Sequence, residues 1–253
     1  MMIMFDVSAS DDRGAVDVSG EVFRLGDETA LELVVDATRG LAAVTAVVNA
    51  ASQRAEDHAG QQVILLRMAA FRQGEQSWPG AVTIKEVNSW ERAVRRLERS
   101  TAVCITVADG VCGGPTLDLL LATDYRIVST DCRIFLPINA GHCWPGMALH
   151  RLVQRLGLSK ARQLVLWGHE LNADEALRLG LVDEVAPPEQ LDTTWRSAAM
   201  LMGPTAGFDL AMRRQLLLEA IATEFDDALG THLAACDREL RRLVTSRVDE
   251  SKR

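Results

Sequence analysis

Residues 103–124 constrain the fold more than any other stretch of this chain. A mostly apolar run, residues 103–107, enters Ala108-Asp-Gly-Val-Cys-Gly-Gly-Pro115, and the leucine-rich residues 116–122 leave it. That order predicts a buried strand, a tight glycine turn over 109–114 and a helix. Glycines there permit positive φ and let the backbone approach a ligand closely. Pro115 suits a first helical position. The new helix presents unpaired N–H groups and the positive end of its dipole, an arrangement suited to an anion or a developing oxyanion. On the residues alone, a plain strand-to-helix turn explains the same glycines.

The rest of the chain alternates in the same way. Residues 16–25 are β-branched and alternating, which predicts a first strand or hairpin. From 28 to 57 the apolar stripe Leu31, Val34, Val35, Leu41 and Val44 predicts a helix, with Gly40 weakening its middle. Residues 63–68 predict a buried strand, 72–79 a loop, and 84–98 a helix whose Arg92, Arg95, Arg96 and Arg99 form a solvated face. Short strands are expected at 125–128 and 134–136, helices at 147–156, 160–166 and 174–179, and a strand at 181–185 before Pro187-Pro188. Residues 206–243 are helical in pattern, and the charged tail 249–253 is expected to fray. Strands alternating with helices predict an α/β fold.

Composition removes several functions. At 253 residues the chain can bury a large core without staples. Its 35 acidic and 27 basic residues give a net charge of −8, against the basic excess of a nucleic-acid binder. No apolar run is long enough to span a bilayer. Residues 1–10 show no basic, apolar leader, so a cytoplasmic location is expected. The five cysteines, Cys104, Cys112, Cys132, Cys143 and Cys236, form no CxxC pair, so neither a disulfide framework nor a metal site is expected.

Gly-Val-Cys-Gly-Gly-Pro resembles the nucleophile motif of chymotrypsin-like proteases, with Cys112 in place of serine. That motif needs an upstream histidine and acid on a double β-barrel. Only His58 precedes it, and a leucine-rich helix follows, so the context excludes the reading. A second resemblance covers residues 80–187. Gly110–Gly114, the helix ending at Asp124, Arg126-Ile-Val, Pro137, Pro145-Gly146, Arg151-Leu152, Gly157, Ala173-Asp-Glu-Ala176 and Gly180-Leu-Val-Asp183 fall in register with the crotonase (enoyl-CoA hydratase/isomerase) superfamily. The resemblance implies a crotonase spiral of repeated ββα units over residues 1–195. A helical C-terminal oligomerisation region over 196–253 would follow, with assembly into a trimer or hexamer.

In that superfamily two backbone N–H groups hold the thioester oxygen of a coenzyme A substrate and stabilise its enolate. The resemblance places one donor at Ala81 or Val82, after Gly80. The other falls on Pro115, which has no N–H, so Gly114 or Thr116 must supply it. Of the two carboxylates used by the hydratases, the first matches Asp118 and the second falls on Ile138, which transfers no proton. Asp118 lies among leucines, so burial should raise its pKa while the helix N-terminus opposes the shift. Asp124 reads as a helix cap. Asn139 is a candidate for orienting substrate, and Trp144, beside His142 and Cys143, for lining a pocket with Trp78 and Trp90. The arginines at 92–99 either meet a coenzyme A phosphate or remain a solvated face.

Trp78-Pro-Gly, Asn88-Ser-Trp90-Glu-Arg, Cys112-Gly-Gly, Trp144-Pro-Gly-Met, Arg213-Arg-Gln-Leu-Leu-Leu-Glu and Asp226-Asp-Ala-Leu-Gly-Thr-His are similar to one branch of the superfamily. That branch is the enoyl-CoA-hydratase-like isomerase of the 3,5-dihydroxyphenylglycine pathway. The similarity implies dehydration and aromatisation of a polyketide-derived acyl-CoA to 3,5-dihydroxyphenylacetyl-CoA in antibiotic biosynthesis. It implies a type III polyketide synthase and a paralogous hydratase as partners, and no cofactor beyond the substrate's own coenzyme A. Asp118 would be the acid/base. The alternative is a non-catalytic subunit that stabilises the synthase or its intermediate; a hydrolase built on Cys112 is a distant third.

Overall fold

The computed structural model describes residues 3–8, 17–25, 28–57, 62–71, 78–139 and 141–250. It opens with β1 (Ile3–Ser8), β2 (Asp17–Leu25) and β3 (Glu28–Val35), followed by α1 (Leu41–Asp57), β4 (Gln62–Phe71), α2 (Ile84–Glu98), β5 (Val103–Cys112) and α3 (Pro115–Ala122). Short strands β6 (Tyr125–Ser129), β7 (Arg133–Ile134), β8 (Ile138–Asn139) and β9 (His142–Cys143) precede α4 (Ala148–Trp167). The chain ends with β10 (Leu171–Asn172), α5 (Ala173–Arg178), β11 (Glu184–Ala186), α6 (Leu191–Met202), α7 (Phe208–Ala220) and α8 (Phe225–Glu250).

The main sheet runs β1-β2-β3-β4-β5-β6-β11, antiparallel through β3 and parallel from β3 onward. Its central strands are buried on both faces, which is why they read as continuous apolar runs. Ile64, Leu66, Met68 and Cys104 join the larger core with α1, α2 and α3. Val63, Leu65, Val103, Ile105 and Val107 point the other way, into a smaller core closed by Leu191, Trp195 and Ala199 of α6. The boundary at residue 195 expected from sequence thus falls inside α6, and Trp195 is fully buried there.

Residues 28–35 are a strand, not the start of a helix. Leu31, Leu33 and Val35 enter the larger core and Ala30 the smaller one, a period of two that the i, i+3, i+4 stripe concealed. Asp36 caps a single 3-10 turn, and Gly40, at φ 83°, lets the chain enter α1. The two helices expected at 147–166 are one element interrupted at Gly157, whose φ of 74° is non-helical. Only Glu184–Ala186 pairs as the strand expected at 181–185, because the amides of Leu181 and Val182 bond to the carbonyl of Ala176 instead. The turn at residues 221–224 divides the C-terminal helical stretch into α7 and α8. Most of the 72–79 loop, and the tail beyond Glu250, lie outside the described residues.

Candidate active site at the β5–α3 turn

Strand β5 continues to Cys112, well past the expected start of the turn. Val111 and Cys112 pair with Arg133 and Ile134 of β7, and the Gly110 amide donates to Ser129 Oγ at 3.0 Å. The turn is therefore only Gly113-Gly114, clamped between two aromatic rings. A Cβ at position 113 would lie 2.8 Å from the Phe135 ring, and one at 114 would lie 2.8 Å from Trp78. Gly114 also adopts φ 52°, ψ −123°, which side chains disfavour, so both close approach and backbone conformation require glycine there.

Trp78 directly precedes Pro79 and the 80–82 loop, so its contact with Gly114 brings that loop beside the turn. Ala81 is exposed and Val82 is half-buried against the core. Pro115 opens α3 without an N–H, as the sequence requires. Thr116, expected as a replacement donor, is buried, and its amide bonds at 3.2 Å to the carbonyl of Gly113. The glycine turn thus closes on itself as a tight first helical turn, in which the Thr116 amide is engaged by Gly113. The Gly114 amide has no partner among the described residues.

Asp118 follows one helical turn later and is 3% exposed. Its Oδ2 accepts a 2.9 Å hydrogen bond from Trp90 Nε1–H on α2. Its Oδ1 is buried without a hydrogen-bond partner, 4.0 Å from an amino nitrogen of Arg151. Burial pushes this carboxyl up to about 7, and repulsion from Glu91 and Glu98 adds to the rise against the pull of Trp90 and Arg151. Trp78 and Trp90 meet edge to face with centroids 6.0 Å apart, so one aromatic pair connects the glycine turn to the acid. Both tryptophans are buried and belong to the larger core.

The groups around Asp118 are the part that sequence reasoning missed. Arg151 of α4 donates to Glu98 at 2.7 Å and to Glu91 at 3.2 Å. Spacing held one signal: Glu98 shares the buried face of α2 with Trp90, Ala93, Val94 and Leu97. Arg92, Arg95 and Arg99 are exposed, as the solvated-face reading holds, and Arg96 pairs with Glu56 across to α1.

The remaining candidates share no hydrogen bond with Asp118. The backbone of Asn139 pairs with His142 in the β8–β9 hairpin, and Ile138, at the place of the second carboxylate, is exposed. Trp144 is half-buried against the core, its indole nitrogen folded onto Gly146, where a Cβ would lie 2.6 Å away. His142 is exposed, and Cys143 points its sulfur at the carbonyl of Trp144, its thiol raised by burial; no dyad forms. Cys112 Sγ lies 3.2 Å from Cys132 Sγ, and that contact together with burial holds its thiol well above the ordinary range, the opposite of an activated nucleophile. Asp124 does not cap α3: it accepts from the Cys104 amide at 2.8 Å and pairs with Arg214 of α7 at 2.6 Å. Among the described residues no helix is long and apolar enough to cross a membrane, and no cluster of histidine, cysteine and carboxylate side chains is arranged to hold a metal ion.

Comparison with known proteins agrees with this geometry. The family model for enoyl-CoA hydratase/isomerase matches residues 79–245. An enoyl-CoA hydratase of Amycolatopsis orientalis is 47% identical over 171 residues, covering 67% of this chain and 77% of its own. An enoyl-CoA hydratase/isomerase from Cupriavidus metallidurans superimposes with a TM-score of 0.72 at 20% identity, over 87% of this chain and 88% of that one. A Thermobifida fusca structure solved in complex with CoA superimposes with a TM-score of 0.69 at 17% identity, over 89% and 94% of the two chains. The spiral architecture, the glycine turn opening α3 and these matches together place the chain in the enoyl-CoA hydratase/isomerase family of the crotonase superfamily.

Proposed function

We propose that the protein binds an acyl-CoA thioester at the β5–α3 turn and that Asp118 moves protons on it, assisting dehydration and aromatisation of a polyketide-derived chain to 3,5-dihydroxyphenylacetyl-CoA beside a type III polyketide synthase. The observation that carries the reading is the Asp118 carboxyl: buried, free at Oδ1 and pushed up to about 7, so that both protonation states are populated near neutral pH. The Amycolatopsis relative, named an enoyl-CoA hydratase, and the CoA bound to the Thermobifida structure support a coenzyme A thioester as substrate.

The ionised Asp118 takes the α-proton, the C–H electron pair forms the enolate C=C bond, and the carbonyl π pair moves to the thioester oxygen. The Gly114 amide and an amide of the 80–82 loop hold that oxygen. The enolate then expels the β-hydroxyl, which leaves as water with the proton from Asp118, so the step loses one water and regenerates the carboxylate. The Gly114 amide stands one residue from the position that Pro115 leaves without an N–H, and a hole left a full donor short loses on the order of 100- to 1000-fold in rate. A poly-oxo thioester enolises more readily than a simple acyl-CoA and tolerates that loss. Ile138 supplies no second carboxylate, so hydration of crotonyl-CoA should be feeble or absent. In this reading the protein works in the cytoplasm as a trimer or hexamer, needs no cofactor, and has the synthase and a paralogous hydratase as partners. Exposed Phe208, Leu217, Ile221, Phe225, Leu233 and Leu240 on and between α7 and α8 offer the apolar surface for assembly.

The test is incubation with malonyl-CoA and a type III synthase, with products identified by mass. More dihydroxyphenylacetyl-CoA in the presence of the protein supports the reading, and brisk hydration of crotonyl-CoA contradicts it. A second reading, a non-catalytic partner of the synthase, is favoured by the near-complete burial of Asp118 together with Pro115 and Ile138. It predicts stimulation that survives Asp118→Asn.

A further inference from the structure

Three carboxylates of α2 and α3 share one guanidinium. Glu98 Oε1 holds Arg151 Nε at 2.7 Å, and Glu91 Oε2 holds its amino nitrogen at 3.2 Å. Asp118 stands off at 4.0 Å. Glu98, Asp118 and Arg151 have side chains under 10% exposed, and Glu91 is 19% exposed. Arg151, with the half-exposed Arg95 that donates to the other oxygen of Glu98 at 2.9 Å, sets two positive charges against three negative ones, which favours a proton on one carboxylate. Glu91 and Glu98 have direct bonds to the arginine. Asp118 has only a neutral indole N–H.

We propose that Glu91 is a positioning residue for Asp118: by occupying Arg151 it leaves Asp118 to carry the proton, and through its other oxygen it ties the neighbouring pocket wall to the same cluster. That second contact is Glu91 Oε1 accepting from the Met147 amide at 3.2 Å, at the end of the Trp144-Pro-Gly-Met segment. The proposal rests on the reading of Asp118 as the acid/base group. Among the described residues, the charged groups facing Asp118 are Glu91 and Glu98 from α2 and Arg151 from α4; α3 itself carries no other titratable side chain. Arg155, further along α4, is held by the carbonyls of Leu121 and Thr123 at the far end of α3.

The two neighbours of Asp118 on α2 should act in opposite directions. Glu91→Gln removes a negative charge while keeping an acceptor for Met147, so ionising Asp118 becomes easier. Trp90→Phe removes the N–H that favours the carboxylate, so ionising becomes harder. The experiment is a carbon-13 NMR titration of aspartate-labelled full-length protein, with Asp118→Asn assigning the resonance. We expect the midpoint to fall by about one pH unit in Glu91→Gln and to rise by a similar amount in Trp90→Phe. Glu98→Gln serves as the second variant if Glu91→Gln does not fold, and should also lower the midpoint. Unmoved midpoints, or shifts of the same sign from the indole and glutamate variants, overturn the proposal. Opposite shifts in a protein that gives no product with malonyl-CoA and synthase would uphold the positioning role and reject the catalytic one.

Discussion

Helix α3 has two ends built to different standards. At its C-terminal end almost every polar group is matched: Arg155 donates to the carbonyls of Leu121 and Thr123, the Thr123 hydroxyl bonds to Thr106, and Asp124 holds both the Cys104 amide and Arg214. At the N-terminal end the Gly114 amide has no partner among the described residues and Asp118 Oδ1 is buried without one. An unmatched buried polar group costs about 1–3 kcal/mol, so folding alone favours the first pattern. The same eight-residue helix shows both. Under the proposed function, the unmatched end is the one that faces substrate.

The largest expected effect is at the unmatched end. Gly114→Ala forces a side chain onto φ 52° and into the Trp78 ring. It should lower synthase stimulation on the order of 100-fold or more by displacing the remaining donor, and lower stability by about 1–3 kcal/mol. Product yield and a denaturant melt measure the two effects separately. Arg214→Ala works at the matched end. It leaves Asp124 and the carbonyls of Ser100 and Ala102 without their guanidinium, which should cost about 3 kcal/mol in a urea melt. Stimulation by the folded fraction should be unchanged; a loss of activity larger than the loss of folded protein would erase the contrast between the two ends.

A smaller effect concerns pH. The Asp118 carboxyl is raised from an ordinary 3.8 to about 7 in the folded protein. Between those values the folded state keeps a proton that the unfolded state has lost. Stability contributed by this group is therefore fully present below about pH 4 and falls as pH rises towards 7. Asp118→Asn, which has no proton to lose, should flatten that decline in melts taken across the window. A variant with the same slope as the wild type would mean that Asp118 titrates normally and that its burial has been overstated.

The sequence made the strand–turn–helix at residues 103–124 legible because three local signals coincide there: a β-branched run, paired glycines and a proline at a helix start. Helix α2 was equally plain from its amphipathic spacing, and the structure returns its predicted bounds, Ile84–Glu98. Residues 28–35 were not, since Leu31, Val34 and Val35 satisfy helical spacing as well as Leu31, Leu33 and Val35 satisfy a strand. At the site, the sequence pointed to Asp118, to Pro115 and to the empty place at Ile138. It did not reveal that Thr116 closes onto Gly113, because a one-residue change of hydrogen-bond partner leaves no mark in composition. Nor did it join Glu91 and Glu98 to Arg151, which lies 53 to 60 positions along the chain and meets them only when α4 packs on α3 beside α2. Of α2, the arginines drew attention by their charge, while the residues nearest the acid were Trp90, Glu91 and Glu98.

The most direct test of the account is the rate of dihydroxyphenylacetyl-CoA formation from malonyl-CoA and a type III synthase, with wild type and Asp118→Asn added at equal folded concentration and equal oligomeric state. Wild type should raise the rate, and Asp118→Asn should raise it at least 100-fold less, a loss of the size expected for a sole general acid/base. Equal stimulation by the two proteins would contradict it and leave the chain as a subunit that supports chemistry carried out by its partner.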